Sequence, residues 1–122
     1  MEFAAERFGT RLVVGMGHSH CGAIEATLEA LQHGESESSR NLLAIVDRVR
    51  PSIGALLETE LRNDREALLR EAVRANVRAA ANHLRHGSAV LERLIQHEGL
   101  LVVGAECWLE TGAVEFFDGV PA

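Results

Sequence analysis

The chain has no lysine: all twelve of its basic residues are arginine, against eighteen acidic ones. The resulting net charge of −6 leaves no electrostatic footprint for nucleic acid, which is excluded as a partner. Cysteine is scarce, with two residues, too few for a disulfide framework, so a reducing, cytoplasmic setting is expected. Long apolar runs are also missing. The longest are a few residues, far short of the roughly 20 needed to span a bilayer, and no charged-then-apolar leader is seen, so no membrane partner is expected. Proline occurs twice, and only Pro51 interrupts a helical pattern. At 122 residues the chain is expected to be a single domain, residues 1–122, able to bury about two-thirds of its unfolded surface.

The residues that are present organise around Arg11 to Leu31, RLVVGMGHSHCGAIEATLEAL. Leu12, Val13 and Val14 form a short β-branched apolar run, the pattern of a strand covered on both faces. Gly15 and Gly17 bracket Met16, and the spacing predicts a sharp turn at the strand's end. His18 and Cys21 follow three residues apart. A helix then opens at Gly22, with Ile24, Leu28 and Leu31 on its apolar side. A strand, a glycine turn and a helix make half of a β-α-β unit, and in open α/β sheets chemistry gathers at the carboxyl ends of strands. His18 and Cys21 sit at that end, and both are donors that suit a soft or borderline metal.

Before this stretch, Glu2 to Phe8 reads as helix, closed by Gly9 as a glycine cap. After it, the helix from Gly22 ends near Gln32-His33-Gly34, and Glu35 to Ser39 is a polar loop. Asn41 to Arg50 is helical, with Leu42, Ile45, Val46 and Val49 on one face. Pro51 is expected to break or kink it before a further helical piece carrying Ile53, Leu56 and Leu57. Asn63 or Asp64 caps the longest helix, which runs to Arg85 or His86. Its apolar stripe is Leu69, Ala72, Val73, Asn76, Val77, Ala80 and Leu84. Arg70, Arg74 and Arg78 make a second stripe, read as a solvated face given the interleaved acids. Asn76 lies within the apolar stripe, where an unpaired amide is costly, so it is expected to hydrogen-bond to a neighbouring loop or helix end. Gly87 ends the helix and Ser88 caps the next, with Val90, Leu91, Leu94 and Ile95. Leu100 to Val103 is a second buried parallel strand. Glu110-Thr111-Gly112 is a hairpin turn, and Ala113 to Phe117 returns antiparallel as an edge strand.

Gly17-His18-Ser19-His20-Cys21-Gly22-Ala23 resembles the zinc-ligand segment of the beta-class carbonic anhydrases, Gly-His-[Ser/Thr]-x-Cys-Gly. The resemblance continues in Met1-Glu-Phe-Ala-Ala-Glu-Arg-Phe-Gly9, similar to the family's helix before that strand. Glu71-Ala-Val-Arg-Ala-Asn-Val77 is similar to its central helix, and Gly99 through Phe116 to its closing hairpin. These pieces stand in the family's order across nearly the whole chain. The resemblance implies an α/β fold with a partial parallel sheet, helices on its faces and a C-terminal antiparallel edge strand. It also implies a Zn2+-dependent lyase interconverting carbon dioxide and bicarbonate, working as a homo-oligomer, a dimer or larger.

In that family two cysteines and one histidine hold the metal, and carry-over makes His18 and Cys21 the second and third of these ligands. The first comes from a Cys-x-Asp-x-Arg segment that has no counterpart in this sequence, and the family's aspartate–arginine dyad goes with it. The chain is therefore expected to be the C-terminal portion of such a domain, incompetent alone. No catalytic group beyond the two metal ligands is identifiable. His20, between them, is expected to face solvent, with a ligand or proton-relay role as its alternative. Cys107 is read as a strand residue rather than a replacement ligand. His33, His83, His86 and His97 fall near helix ends, where imidazole commonly meets solvent. The rival reading, from another class, is a non-catalytic binding or assembly module derived from the same fold. In either case the strand holding Leu12 to Val14 should have one bare, apolar edge and promote self-association.

Overall fold

The computed structural model describes residues 1–34 and 40–121; the polar loop expected at Glu35 to Ser39 lies outside the described residues. Helix α1 (Glu2–Arg7) leads to strand β1 (Leu12–His18), then α2 (Gly22–His33) and α3 (Arg40–Ile53). Two short 3₁₀ turns, Gly54–Glu58 and Glu60–Asn63, precede α4 (Arg65–His86), α5 (Ala89–His97), β2 (Leu101–Cys107) and β3 (Val114–Asp118). The sheet order is β1-β2-β3, with β1 parallel and β3 antiparallel to β2. Thus β2 is central, and among the described residues β1 has a neighbour along one edge only. No described helix is long and apolar enough to cross a membrane.

The caps follow local chemistry. Asp64 accepts a hydrogen bond from the Ala67 N–H and Ser88 from the Leu91 N–H, each satisfying one of the free amides at a helix start. Gly9 follows α1 at φ 67° and Gly112 turns the hairpin at φ 74°, conformations that suit glycine.

The glycines of β1 behave differently from the expected turn. Strand β1 runs straight through Gly15 and Gly17, which pair in register with Gly104 and Glu106 of β2. A Cβ built on Gly17 would stand 2.7 Å from Val77 Cγ2 and 2.9 Å from Val73 Cγ1. Gly17 is required by the close approach of α4 to the sheet, and the chain turns only after His18.

Helix α4 is the long helix packed against β1 and β2. Its buried residues are Leu68, Ala72, Val73, Val77 and Ala81; the stripe is rotated from the expected one, so Ala80 is exposed. Pro51 does not break α3 where it stands. It is accommodated inside the last turn, and the helix stops two residues later at Ile53. One core cluster joins Ile24 and Leu28 of α2 to Val49 and Ile53 of α3 and to Leu68, Ala72 and Val73 of α4. A second joins Ala5, Val13, Ala81, Leu91, Leu94, Leu100 and Val102.

Burial alternates along β1, contrary to coverage on both faces. Val13 is buried, while Leu12, Val14 and Met16 are 54%, 37% and 53% exposed. Their cross-sheet companions Val114 and Phe116 of β3 are exposed as well. The face of the sheet turned away from α4 is therefore apolar at both of its outer strands.

Candidate metal centre

His18 is the last residue of β1 and is exposed; Cys21 is the N-cap residue just before α2 and is half-buried. Both line one cleft of about 240 Å³, together with Gly17, Ile24, Asn76 and Val77. His18 Nδ1 lies 2.8 Å from the Ser19 carbonyl oxygen. A carbonyl only accepts, so Nδ1 carries the proton and donates, which leaves the Nε2 lone pair free for a metal. The Cys21 side chain makes no capping bond to a backbone amide at the start of α2. Asn76 is half-buried, as its place in the apolar stripe suggested. Its Oδ1 is 3.3 Å from Ser52 Oγ near the end of α3, fixing one wall of the cleft.

The turn that carries these donors is fastened to the β2–β3 hairpin. The Ser19 N–H donates to the Cys107 carbonyl at 3.0 Å. Ser19 Oγ accepts from the Leu109 N–H at 2.8 Å and donates to the Glu110 carboxylate, 3.2 Å from each oxygen. His20 adopts φ 55°, the left-handed region, which is uncommon for a residue with a side chain and carries a strain of about 1–2 kcal/mol. Its side chain is exposed as expected, yet its Nε2 lies 2.6 Å from Glu110 Oε1. The backbone N–H of Glu110 itself, followed by Ser19 and His20, holds the Glu110 carboxyl below the usual carboxylate range. Ser19, His20, Glu110 and Trp108 also border a separate cavity of about 220 Å³. Ser19 and Glu110 were invisible as partners in the sequence, being 91 positions apart.

A second ionic feature was misread from the sequence. Arg74 is not on a solvated face. Its guanidinium reaches Glu106 Oε1 at 2.9 Å and Glu115 Oε2 at 2.6 Å, and it stacks 4.8 Å from the centre of the Phe117 ring. Glu106 is 1% exposed on the central strand. Burial pulls the Arg74 pKa down, but its hydrogen bonds to Glu106 and Glu115 outweigh this and hold it above its ordinary value. The clue was a lone carboxylate inside the apolar run of β2, which demands a cation nearby.

A carbonic anhydrase family model matches residues 1–114. The chain belongs to the carbonic anhydrase family. Among solved structures it is similar to the β-carbonic anhydrase CafA of Aspergillus fumigatus, with a TM-score of 0.81 at 22% identity over 99% of this chain. It is similar also to a tetrameric β-carbonic anhydrase of Sordaria macrospora, TM-score 0.80 at 19% identity over 95% of this chain. At these identities the likeness concerns the fold, which is that of the beta class. A carbonic anhydrase of Mycolicibacterium smegmatis is 45% identical over 53 residues, 43% of this chain. The chain spans 55% and 56% of the two solved structures and 25% of the curated relative.

Carbonic anhydrases of the beta class use zinc, and the donors here suit zinc in kind: one imidazole nitrogen and one thiolate. They do not suit it in number. Among the described residues no group of three or more His, Cys, Asp or Glu side chains is placed to hold a metal. Cys107 is level with His18 on the neighbouring strand, half-buried, and does not complete such a group. Catalytic zinc requires three protein ligands and an open position, and the described residues of this cleft supply two.

Proposed function

We propose that this chain carries the histidine–cysteine half of a β-carbonic anhydrase zinc centre and does not hydrate carbon dioxide by itself. One observation carries the reading. His18 and Cys21 share a cleft, the bond from His18 Nδ1 leaves Nε2 as the imidazole's lone-pair nitrogen, and no third donor among the described residues joins them. His18 and Cys21 would be two of the ligands to a zinc ion, which would supply Lewis-acid activation of water for the hydration of carbon dioxide once a full ligand set held it. This chain's own part is to hold two donors in place. The bonds of Ser19 to Cys107, Leu109 and Glu110 fix the turn, and the Nδ1 bond sets the tautomer of His18. The substrate class is carbon dioxide and bicarbonate, and the working state is an assembly larger than one chain, which the exposed apolar residues of β1 favour.

Stopped-flow hydration of carbon dioxide by the zinc-supplemented chain tests this. The expected rate is that of buffer containing the same zinc. Saturable, zinc-dependent hydration that disappears in Cys21→Ser would show that the chain completes its own site. The rival, an assembly module without catalysis, draws on the same apolar strand.

A further inference from the structure

We infer that the groove between α3 and α4 binds a small phosphate monoester, through Arg48, Asn76 and His83 and without any metal. The groove has a volume of about 440 Å³ and is distinct from the donor cleft, with which it shares only Asn76 and Ala80. Helix periodicity builds it. Arg48 and Ser52 are four residues apart on α3 and so share a face, as do Asn76, Ala80 and His83 on α4. Ala79 and Ala80 carry only methyl groups, which leaves the hollow between the two helices open.

In a chain of net charge −6, the polar lining of this groove is Arg48, Ser52, Asn76 and His83, with no carboxylate. Arg48 is exposed, and the acid beside it in sequence, Asp47, is taken by Arg50 at 3.3 Å. The Ser52 hydroxyl donates to the Val49 carbonyl at 2.7 Å and to Asn76 Oδ1 at 3.3 Å. That occupies the acceptor of the Asn76 amide and leaves its Nδ2 donors without a partner among the described residues. Asn76 is half-buried, where unmet donors are costly, so an acceptor in the groove is favoured. The fork of Arg48 matches two phosphate oxygens, and the amide and imidazole N–H groups can serve the others. The last turn of α3 opposes an anion with a partial negative charge, which the full charge of Arg48 exceeds. The volume is far more than one phosphate group fills, and Pro51, Ala79 and Ala80 offer an apolar wall for the organic part of an ester. One guanidinium suits one phosphate group, and the net negative charge of the chain disfavours a nucleic-acid strand.

The test is isothermal titration calorimetry of the purified chain with phenyl phosphate, at fixed ionic strength and with a metal chelator present. The expected result is saturable binding at one site per chain. Arg48→Gln, which loses the charged fork, should weaken it by about tenfold or more, and Asn76→Asp, which turns the donor amide into a like charge, should abolish it. Arg62→Gln, at an exposed arginine outside the groove, should leave the affinity unchanged. A map of amide chemical shifts in the wild-type chain needs no variant to fold, and should show changes at residues 48–52 and 76–83. Absence of saturable binding overturns the site, and so does an equal loss in Arg48→Gln and Arg62→Gln, which would mean that charge alone is read. Inorganic phosphate or bicarbonate binding as tightly as phenyl phosphate overturns the assignment to an ester. Shift changes confined to residues 18–21 place the anion in the donor cleft and refute the groove. None of these outcomes bears on the zinc donors, since metal is removed throughout.

Discussion

Replacing Arg74 with alanine should be among the most damaging single changes outside the apolar core. Glu106 is 1% exposed, and Arg74, itself 18% exposed, approaches it at 2.9 Å. Removing the guanidinium strands a carboxylate inside the sheet, and breaking a buried pair from one side costs about 3–5 kcal/mol. The lost stacking on Phe117 adds about 0.5–1 kcal/mol. Domains of this size are stable by only about 5–15 kcal/mol, so about a quarter or more of the total is at stake. With a urea slope of about 2 kcal/mol/M, the unfolding midpoint should fall by about 2–3 M. Two controls isolate the cause. Arg93→Ala removes the cation of an exposed pair, Arg93 with Glu6 at 3.2 Å, and should cost at most about 1 kcal/mol. The double change Arg74→Met with Glu106→Leu removes both charges and should recover most of the loss, since apolar replacement of a buried pair is often near neutral. Should Arg74→Ala prove no worse than Arg93→Ala, or the double variant as unstable as the single, the stranded-charge argument is wrong.

Gly17→Ala should destabilise by about 1–3 kcal/mol, the cost of overpacking, because its methyl would meet Val73 and Val77 at under 3 Å, whereas Gly22→Ala, with open space at its Cβ, should stay within about 0.5 kcal/mol of wild type; thermal melts compare the two. The lowered pKa of Glu110 makes its contribution complete above the ordinary carboxylate value, about 4.3, and progressively lost as pH falls through the lower folded value. Stability measured from neutral to acid pH should therefore show a loss in that acid window, and Glu110→Gln should flatten that part of the profile; an unchanged profile would mean that the hairpin bonds add nothing.

Most of the architecture was legible in the chain because it is locally encoded. The β-branched runs at Leu12 to Val14 and Leu100 to Val103, the caps at Ser88 and Gly9 and the Thr111-Gly112 turn act within a few residues, and each holds in the fold. That His18 and Cys21 line one cleft was equally local, a spacing across one turn at a strand's end; their role as metal ligands stays a proposal. Other features depended on what lies across space. Whether Gly17 bends the chain or admits a helix is decided by Val73 and Val77 of α4, far away along the chain. Arg74 belongs to a helix stripe that periodicity alone assigns to solvent, and only the placement of Glu106 on the adjoining strand turns it inward. The tie from Ser19 to Glu110 spans the chain and leaves no periodic trace. Short-range geometry determines elements and donor pairs because backbone preferences act over a few residues; burial, charge pairing and the count of donors around one point are properties of the assembled surfaces, and only the tertiary structure decided them.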